Sequence, residues 1–201
     1  LVADLADAVW TQGERFGTIG CTVGDQIYEI TTHRAEAYDP QSRKPTVSFG
    51  DRIDDDLARR DFTVNSMAVD LSDGTLVDPY GGRADLAEGV LRTPLDPEIS
   101  FSEDPLRMLR AARFHAGYGL EPTPELVTAI TELLDRVAIV SAERIRDELQ
   151  KLLLLDDPSA GFRLLATTGL LARVLPSLAA LDGGEAARRG AQAAAVAPDP
   201  A

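Results

Sequence analysis

Along roughly the first ninety residues the apolar positions come in short runs cut by glycine, proline and aspartate; from Ser102 to about Leu181 they recur with a helical period. Residues 4–11 either finish a helix or lead into a strand, with Trp10 as a core or interface aromatic. Residues 16–21 and 27–32 read as a β-hairpin turning at Gly24-Asp25. In its second strand, alternation sends Ile27, Glu29 and Thr31 to one face and Tyr28, Ile30 and Thr32 to the other. Residues 34–49 are polar, contain Pro40 and Pro45, and read as a mobile loop. Residues 51–57 open a short helix whose early carboxylates suit the positive end of the dipole. Residues 59–65 follow as a half-buried strand anchored by Phe62 and Val64 at alternate positions. A second hairpin runs through residues 67–77 with Asp73-Gly74 at its turn. Residues 78–82 break the sheet, and a helix from Arg83 is limited by Gly89.

Pro94 and Pro97 bound a linker, after which Ser102 is placed to cap a helix with Glu103 and Asp104 in its first turn and Pro105 tolerated there. At about 100° per residue, Glu103, Asp104, Arg107 and Arg110 share one polar arc, and Met108, Leu109 and Ala112 point into a core. Residues 126–137, 142–155 and 160–175 read as amphipathic scaffold helices, with Glu143, Arg144, Asp147, Glu148 and Lys151 on a mixed-charge face. From Gly183 the chain is Ala, Gly and Pro with little to bury, a flexible tail. His33 and His115 are isolated and read as loop or helix-surface residues.

Two stretches carry candidate chemistry. Arg59-Arg60-Asp61-Phe62-Thr63-Val64-Asn65 offers guanidinium forks suited to phosphate, a carboxylate that accepts from sugar hydroxyls, and short polar side chains at Thr63 and Asn65. Its competing reading is a solvated edge strand with surface charge. On the helix after the linker, Asp104 with Arg107 can imitate a Watson–Crick partner. The carboxylate accepts from an exocyclic amino group while the guanidinium donates to a ring nitrogen or carbonyl, which admits C and A and rejects U and G. The competing reading there is an ion-pair ladder on an exposed helix face. Glu29 is either a strand-surface carboxylate or one that points into a metal or catalytic cleft.

Composition narrows the class. With 201 residues, 44% hydrophobic and 26% charged, the chain is one or two soluble globular domains rather than a disordered protein. A formal charge of -13 argues against a broad electrostatic surface for nucleic acid, so any such contact is local. The single Cys21 excludes an internal disulfide and a multi-cysteine metal site, which makes a reducing cytoplasm the expectation. No apolar run is long enough for a membrane span. The start at Leu1, without Met or a signal-peptide pattern, reads as the beginning of a piece taken from within a longer protein.

Four linked motifs carry a resemblance. They are Tyr28-Glu29-Ile30-Thr31-Thr32, the Arg59 to Asn65 stretch, Asp78-Pro79-Tyr80-Gly81-Gly82 with Asp85-Leu86, and Glu103-Asp104-Pro105-Leu106-Arg107-Met108-Leu109-Arg110. In this order, from about Thr11 to Leu155, the chain resembles the class II tRNA nucleotidyltransferases, the family of CCA-adding enzymes and bacterial poly(A) polymerases. The resemblance implies an α/β then all-α chain. A partial polymerase-β-like nucleotidyltransferase head would span 1–93, a helical, nucleobase-reading neck 94–137, a partial helical body 138–181 and a flexible tail 182–201.

The resemblance further implies that Arg60 and Asp61 hold the triphosphate and ribose of the incoming nucleotide, and that Glu103, Asp104 and Arg107 form a protein template reading C or A. The implied nucleotide-binding set is Arg59, Arg60, Asp61, Asn65, Glu103, Asp104, Arg107 and Arg110; Glu29 resembles the carboxylate on the strand beside the metal site. The implied reaction joins CMP and AMP, from CTP and ATP, to the 3′ end of tRNA with Mg²⁺ as cofactor. The family's Gly-Gly segment and paired aspartates, the main metal ligands, are expected upstream of Leu1, so this segment alone is expected to be inactive. Poly(A) addition within the same family, or a non-catalytic nucleotide- or RNA-binding module, are the alternatives.

Overall fold

The computed structural model describes residues 2–11, 14, 17–32, 34–37, 46–49 and 52–181. The chain divides into two compact units, the first ending at Arg60 and the second beginning at Asp61.

In the first unit a short 3-10 turn (Val2–Asp4) leads into β1 (Ala8–Trp10), β2 (Thr18–Val23) and β3 (Gln26–Thr31), an antiparallel sheet in the order β1-β2-β3. Of the two readings for residues 4–11, the strand is the one observed. The hairpin turns where Gly24-Asp25 predicts: Val23 pairs with Gln26, and Gly24 takes φ +59°, a conformation glycine adopts without steric penalty. Asp7 Oδ2 fastens the turn by accepting from the Gly24 amide at 2.7 Å. Trp10 faces Gly20 across the sheet so closely that a Cβ on Gly20 would lie 2.1 Å from the indole Nε1. The indole therefore covers a glycine and is itself 37% exposed.

Where the sequence suggests one loop over residues 34–49, the structure has β4 (Arg34–Ala37) and β5 (Thr46–Phe49) paired antiparallel. Both four-residue stretches alternate, and the second carries β-branched Thr46 and Val47, which suits a pleated ladder better than a loop. Pro40 and Pro45 lie outside the described residues, as do His33 and the tail from Gly183. The unit closes with α1 (Ile53–Ala58), which opens on Asp54, Asp55 and Asp56 as its early carboxylates require.

The expected strand over residues 59–65 is not formed. Arg59 caps α1, Phe62 is extended, and Thr63–Asn65 makes a 3-10 turn. The Asp61 side chain decides this, because its Oδ1 accepts from the Phe62 amide at 2.9 Å and from Asn65 Nδ2 at 3.0 Å, offering the backbone a local partner in place of a ladder. Thr63 N donates instead to Arg92 O at 2.9 Å, and Phe62 is completely buried rather than half-buried.

In the second unit β6 (Ala68–Val69) and β7 (Leu76–Val77) form the second hairpin around Asp73-Gly74, with Gly74 at φ +76°. Helix α2 (Gly82–Glu88) is capped by Asp78, which accepts from the Gly82 and Arg83 amides, and it ends at Gly89 in the left-handed region. The Thr63 carbonyl lies so near Gly82 that a Cβ there would sit 2.0 Å from it, so only glycine fits. Strand β8 (Val90–Leu91) runs parallel to β9 (Glu121–Pro122).

The helix expected to open at Ser102 begins earlier and is split in two. Asp96 caps α3 (Pro97–Glu103) by accepting from the Glu98 amide at 2.8 Å, with Pro97 in its first turn. Asp104 then leaves the helix at φ -136°, ψ 95°, and α4 (Leu106–Tyr118) starts afresh after Pro105. The residue before a proline is disfavoured in the α region, and Asp104 Oδ1 caps the new helix through the Leu106 amide at 3.2 Å. Ser102 therefore lies in the last turn of α3 and caps nothing.

Helix α4 runs through the centre of the core, with Met108, Leu109, Ala111 and Ala112 buried. Around it pack α6 (Ala142–Leu153) and α7 (Ser159–Thr167), and α3 packs on α5 (Pro124–Glu132). The expected helix 126–137 ends at Glu132 and continues as a 3-10 turn (Leu134–Ile139). The expected helix 160–175 is broken at Gly169, φ +82°, beyond which comes α8 (Leu170–Val174). At the crossing of α4 and α7, a Cβ on Gly161 would meet Ala112 O at 2.6 Å, so the small residue sets how closely these helices approach.

Candidate functional site

In the first unit the two arginines meet at one carboxylate. Arg59 donates to Asp56 Oδ1 from Nη2 at 2.5 Å and from Nε at 3.2 Å, and Arg60 donates to Oδ2 at 3.0 Å. Burial of Asp56 works against its ionisation, but the hydrogen bonds and charges of Arg59 and Arg60 outweigh it and hold the carboxyl below the ordinary aspartate range. About half of the Arg60 side chain stays exposed, which leaves donors turned to solvent. Glu29 is exposed on β3, opposite Gly20. Among the described residues no group of three or more His, Cys, Asp or Glu side chains converges on one point.

The second unit gathers the rest. Asp61, 8% exposed, receives four donors: Phe62 N and Asn65 Nδ2 on Oδ1, and Arg110 Nε (2.8 Å) and Nη2 (2.5 Å) on Oδ2. This fills the acceptor sites of a carboxylate and ties the 61–65 turn to α4. Arg110 continues toward Glu148 of α6, Nη1 lying 3.9 Å from Oε2; Glu148 Oε1 also accepts from Arg113 Nε. Phe62 and Phe114 pack with ring centroids 5.1 Å apart and planes tilted by 51°, and the Arg110 and Arg113 guanidinium groups lie over the Phe114 ring at 5.7 and 4.7 Å.

Around the break between α3 and α4 lie the base-reading candidates. Arg107 is 8% exposed, donates from Nη1 to Ser100 Oγ at 2.8 Å and lies 3.7 Å from Glu103 Oε2. Asp104 directs Oδ1 to the Leu106 amide and Oδ2 to Arg144 Nη2 at 2.7 Å. Glu103 and Asp104 stand across the helix break from Arg107 and Arg110 rather than on one continuous helical arc, and Arg107 lies in the protein rather than on an exposed ladder. A carboxylate pair and a guanidinium thus share one short turn, held from both sides, with part of each carboxylate open to water.

Sequence reasoning missed Glu148 and Arg144, which it placed on a mixed-charge face. Glu148 is 2% exposed and serves as the counter-ion of Arg113 and Arg110. The signal was in the spacing: Glu148 is three residues from Ile145 and four from Leu152, in phase with the apolar stripe. Asp85, which the sequence motif alone gives no role, accepts from Thr63 Oγ1 at 2.6 Å and pairs with Arg92 at 2.9 Å, which ties the same turn to α2.

Residues 1–92 match the family model described as the poly A polymerase head domain, and residues 119–181 match that of the probable RNA and SrmB- binding site of polymerase A. A CCA-adding enzyme of Geobacillus stearothermophilus is 38% identical over 168 residues, 83% of this chain and 41% of that protein. The crystal structure of the Bacillus stearothermophilus CCA-adding enzyme in complex with CTP superposes with a TM-score of 0.74 at 34% identity, covering 84% of this chain and 40% of that one. A tRNA nucleotidyltransferase complexed with a primer tRNA and an incoming ATP analog gives a TM-score of 0.66 at 31% identity, over 84% and 47%. The α/β region followed by helices is thus the fold of the solved nucleotidyltransferases that it matches. The chain belongs to the family of class II CCA-adding enzymes and bacterial poly(A) polymerases. It spans about two fifths of the length of the curated relatives it matches. None of its described helices is long and apolar enough to cross a membrane.

Proposed function

We propose that the whole protein transfers CMP and AMP from CTP and ATP to the 3′ end of tRNA, and that this chain supplies the turn that selects the nucleotide. The 3′ hydroxyl oxygen would attack the α-phosphorus, the bond to the β-phosphate would break, and pyrophosphate would leave. The observation that carries the reading is the turn at Glu103, Asp104 and Arg107. A carboxylate acceptor and a guanidinium donor are fixed within four residues of each other, the edge chemistry that C and A complement. Relatives solved with CTP, and with a primer tRNA and an ATP analog, support the same choice of nucleotide and acceptor.

Within the second unit, Asp61, held by Arg110 and Asn65, would meet a ribose hydroxyl by exchanging one of those donors for it; Arg59 and Arg60, in the first unit, would offer donors to the triphosphate. Glu29, exposed on a strand of the first unit, would be the carboxylate that the family resemblance sets beside its metals. The divalent ion implied is Mg²⁺; since no group of three or more such side chains converges among the described residues, no step is assigned to it. Poly(A) addition, the other activity of the family to which both matching models belong, is the second reading.

Equilibrium dialysis of ATP, CTP, UTP and GTP against this chain tests the proposal. ATP and CTP held more tightly than UTP and GTP is the expected result, and ATP alone points to poly(A) addition. Equal binding of all four by a folded chain, verified by circular dichroism, refutes the base-reading turn.

A further inference from the structure

From the break between α3 and α4 we infer that Arg136, on the 3-10 turn between α5 and α6, is a positioning residue for base selection. The inference rests on the base-reading role proposed for Glu103, Asp104 and Arg107. Were α3 continuous, Ser102 O would accept from the amide four residues on, at Leu106. That amide is diverted to Asp104 Oδ1 at 3.2 Å, so the break leaves the Ser102 carbonyl without its helical donor. Arg136 replaces it, with Nη2 donating to Ser102 O at 2.5 Å. The guanidinium thus grips the backbone immediately before Glu103 and Asp104.

A second observation sets this contact apart from ordinary helix capping. Arg136 Nε is buried and meets no hydrogen-bond partner among the described residues. A buried donor left unmade is destabilising, and an apolar side chain of the same length would avoid it. An arginine kept under that penalty is better explained by what its other nitrogen fixes than by net stability. With Arg144 on the Asp104 carboxylate and Ser100 on Arg107, Arg136 completes a set that holds the turn at its backbone, its acceptor and its donor. The turn would then present one fixed edge, and bases that do not complement it would be refused because the turn cannot shift to suit them.

The test is the same dialysis on the full chain carrying Arg136→Met, Arg136→Lys or no change, with hydrogen exchange at residues 103–107 and a thermal melt as companions. The expected result for Arg136→Met is a melting temperature within a few degrees of the wild type, since relief of the buried Nε opposes the loss of the donor to Ser102 O, with faster exchange at 103–107 and a preference for ATP and CTP over UTP and GTP reduced roughly tenfold, what one positioning hydrogen bond carries. Arg136→Lys, which can still donate to Ser102 O, restores part of the preference. A wild-type chain that selects ATP and CTP beside an Arg136→Met chain that selects them equally well overturns the inference alone. A folded wild-type chain that binds all four equally overturns the base-reading role and the inference with it. Should Arg136→Met fail to fold, Arg136→Gln, whose shorter side chain gives up the donor to Ser102 O, decides: undiminished selectivity with equal exchange at 103–107 overturns the inference.

Discussion

Asp61 is the residue on which the second unit's polar architecture turns, and Asp61→Asn isolates its charge. The substitution keeps the shape and one carbonyl oxygen, so the bonds from the Phe62 amide and Asn65 Nδ2 survive. What is lost is the anion facing Arg110, whose Nε and Nη2 would then point at an amide NH₂. Removing one partner of a buried ion pair costs about 3–5 kcal/mol. Here the Arg110 side chain is 30% exposed and Glu148 lies 3.9 Å from its Nη1, so water and a second carboxylate offset part of the loss and about 2–3 kcal/mol is expected. In urea, with a slope of about 1–3 kcal/mol/M, this moves the midpoint of the helical signal down by about 1 M. The lone Trp10 lies in the first unit, so its fluorescence separates that sheet from the helices. A double-mutant cycle with Arg110→Met should return a coupling of about 1–3 kcal/mol. A midpoint shift near zero, or a coupling near zero, would refute the view that this pair fastens the 61–65 turn to α4.

Two further outcomes follow from the geometry. Gly161→Ala places a methyl group 2.6 Å from Ala112 O and forces α4 and α7 apart, so a loss of about 1–3 kcal/mol is expected in a thermal melt, whereas an unchanged melt would mean the crossing is looser than it stands. Asp56 has a folded pKa held below its unfolded value by Arg59 and Arg60 against the effect of burial, so its contribution is present above the ordinary aspartate value near 4 and is lost as pH falls through the folded value. Asp56→Asn should therefore be less stable than the wild type at pH 7, with the gap closing in strong acid; a gap that is constant with pH contradicts the assignment.

What was legible in the sequence was whatever local chemistry alone decides. Gly24-Asp25 and Asp73-Gly74 marked both hairpins because a turn's backbone demands are met by its own residues, and Gly89 marked the end of α2 for the same reason. The strand misread over residues 59–65 had the correct alternation. A side chain of the segment itself overruled it, since Asp61 satisfies the amide of Phe62 and the amide group of Asn65 before any neighbouring strand can. The spacing of Glu148 showed its place on the apolar stripe but not its role: its partners Arg110 and Arg113 lie 38 and 35 residues away (148 − 110 and 148 − 113), and only packing of α6 against α4 makes it their buried counter-ion.

The misplaced helix start bears most directly on function. Reading Ser102 as a cap put Glu103, Asp104, Arg107 and Arg110 on one continuous arc, whereas Asp104-Pro105 breaks the helix and divides the four between its ends. On a continuous surface helix, residues at that spacing form solvent-exposed ion pairs worth a few tenths of a kcal/mol, and the side chains remain mobile. The break changes the physical situation. Asp104 spends one oxygen on the Leu106 amide and the other on Arg144, Arg107 withdraws into the protein onto Ser100, and Arg136 takes up the carbonyl that the break released. Each group loses freedom it would have kept on an arc, and discrimination between bases that differ by a donor or an acceptor depends on such fixed geometry. The helix break, which sequence periodicity tends to overlook, is thus the feature on which the proposed base-reading edge depends.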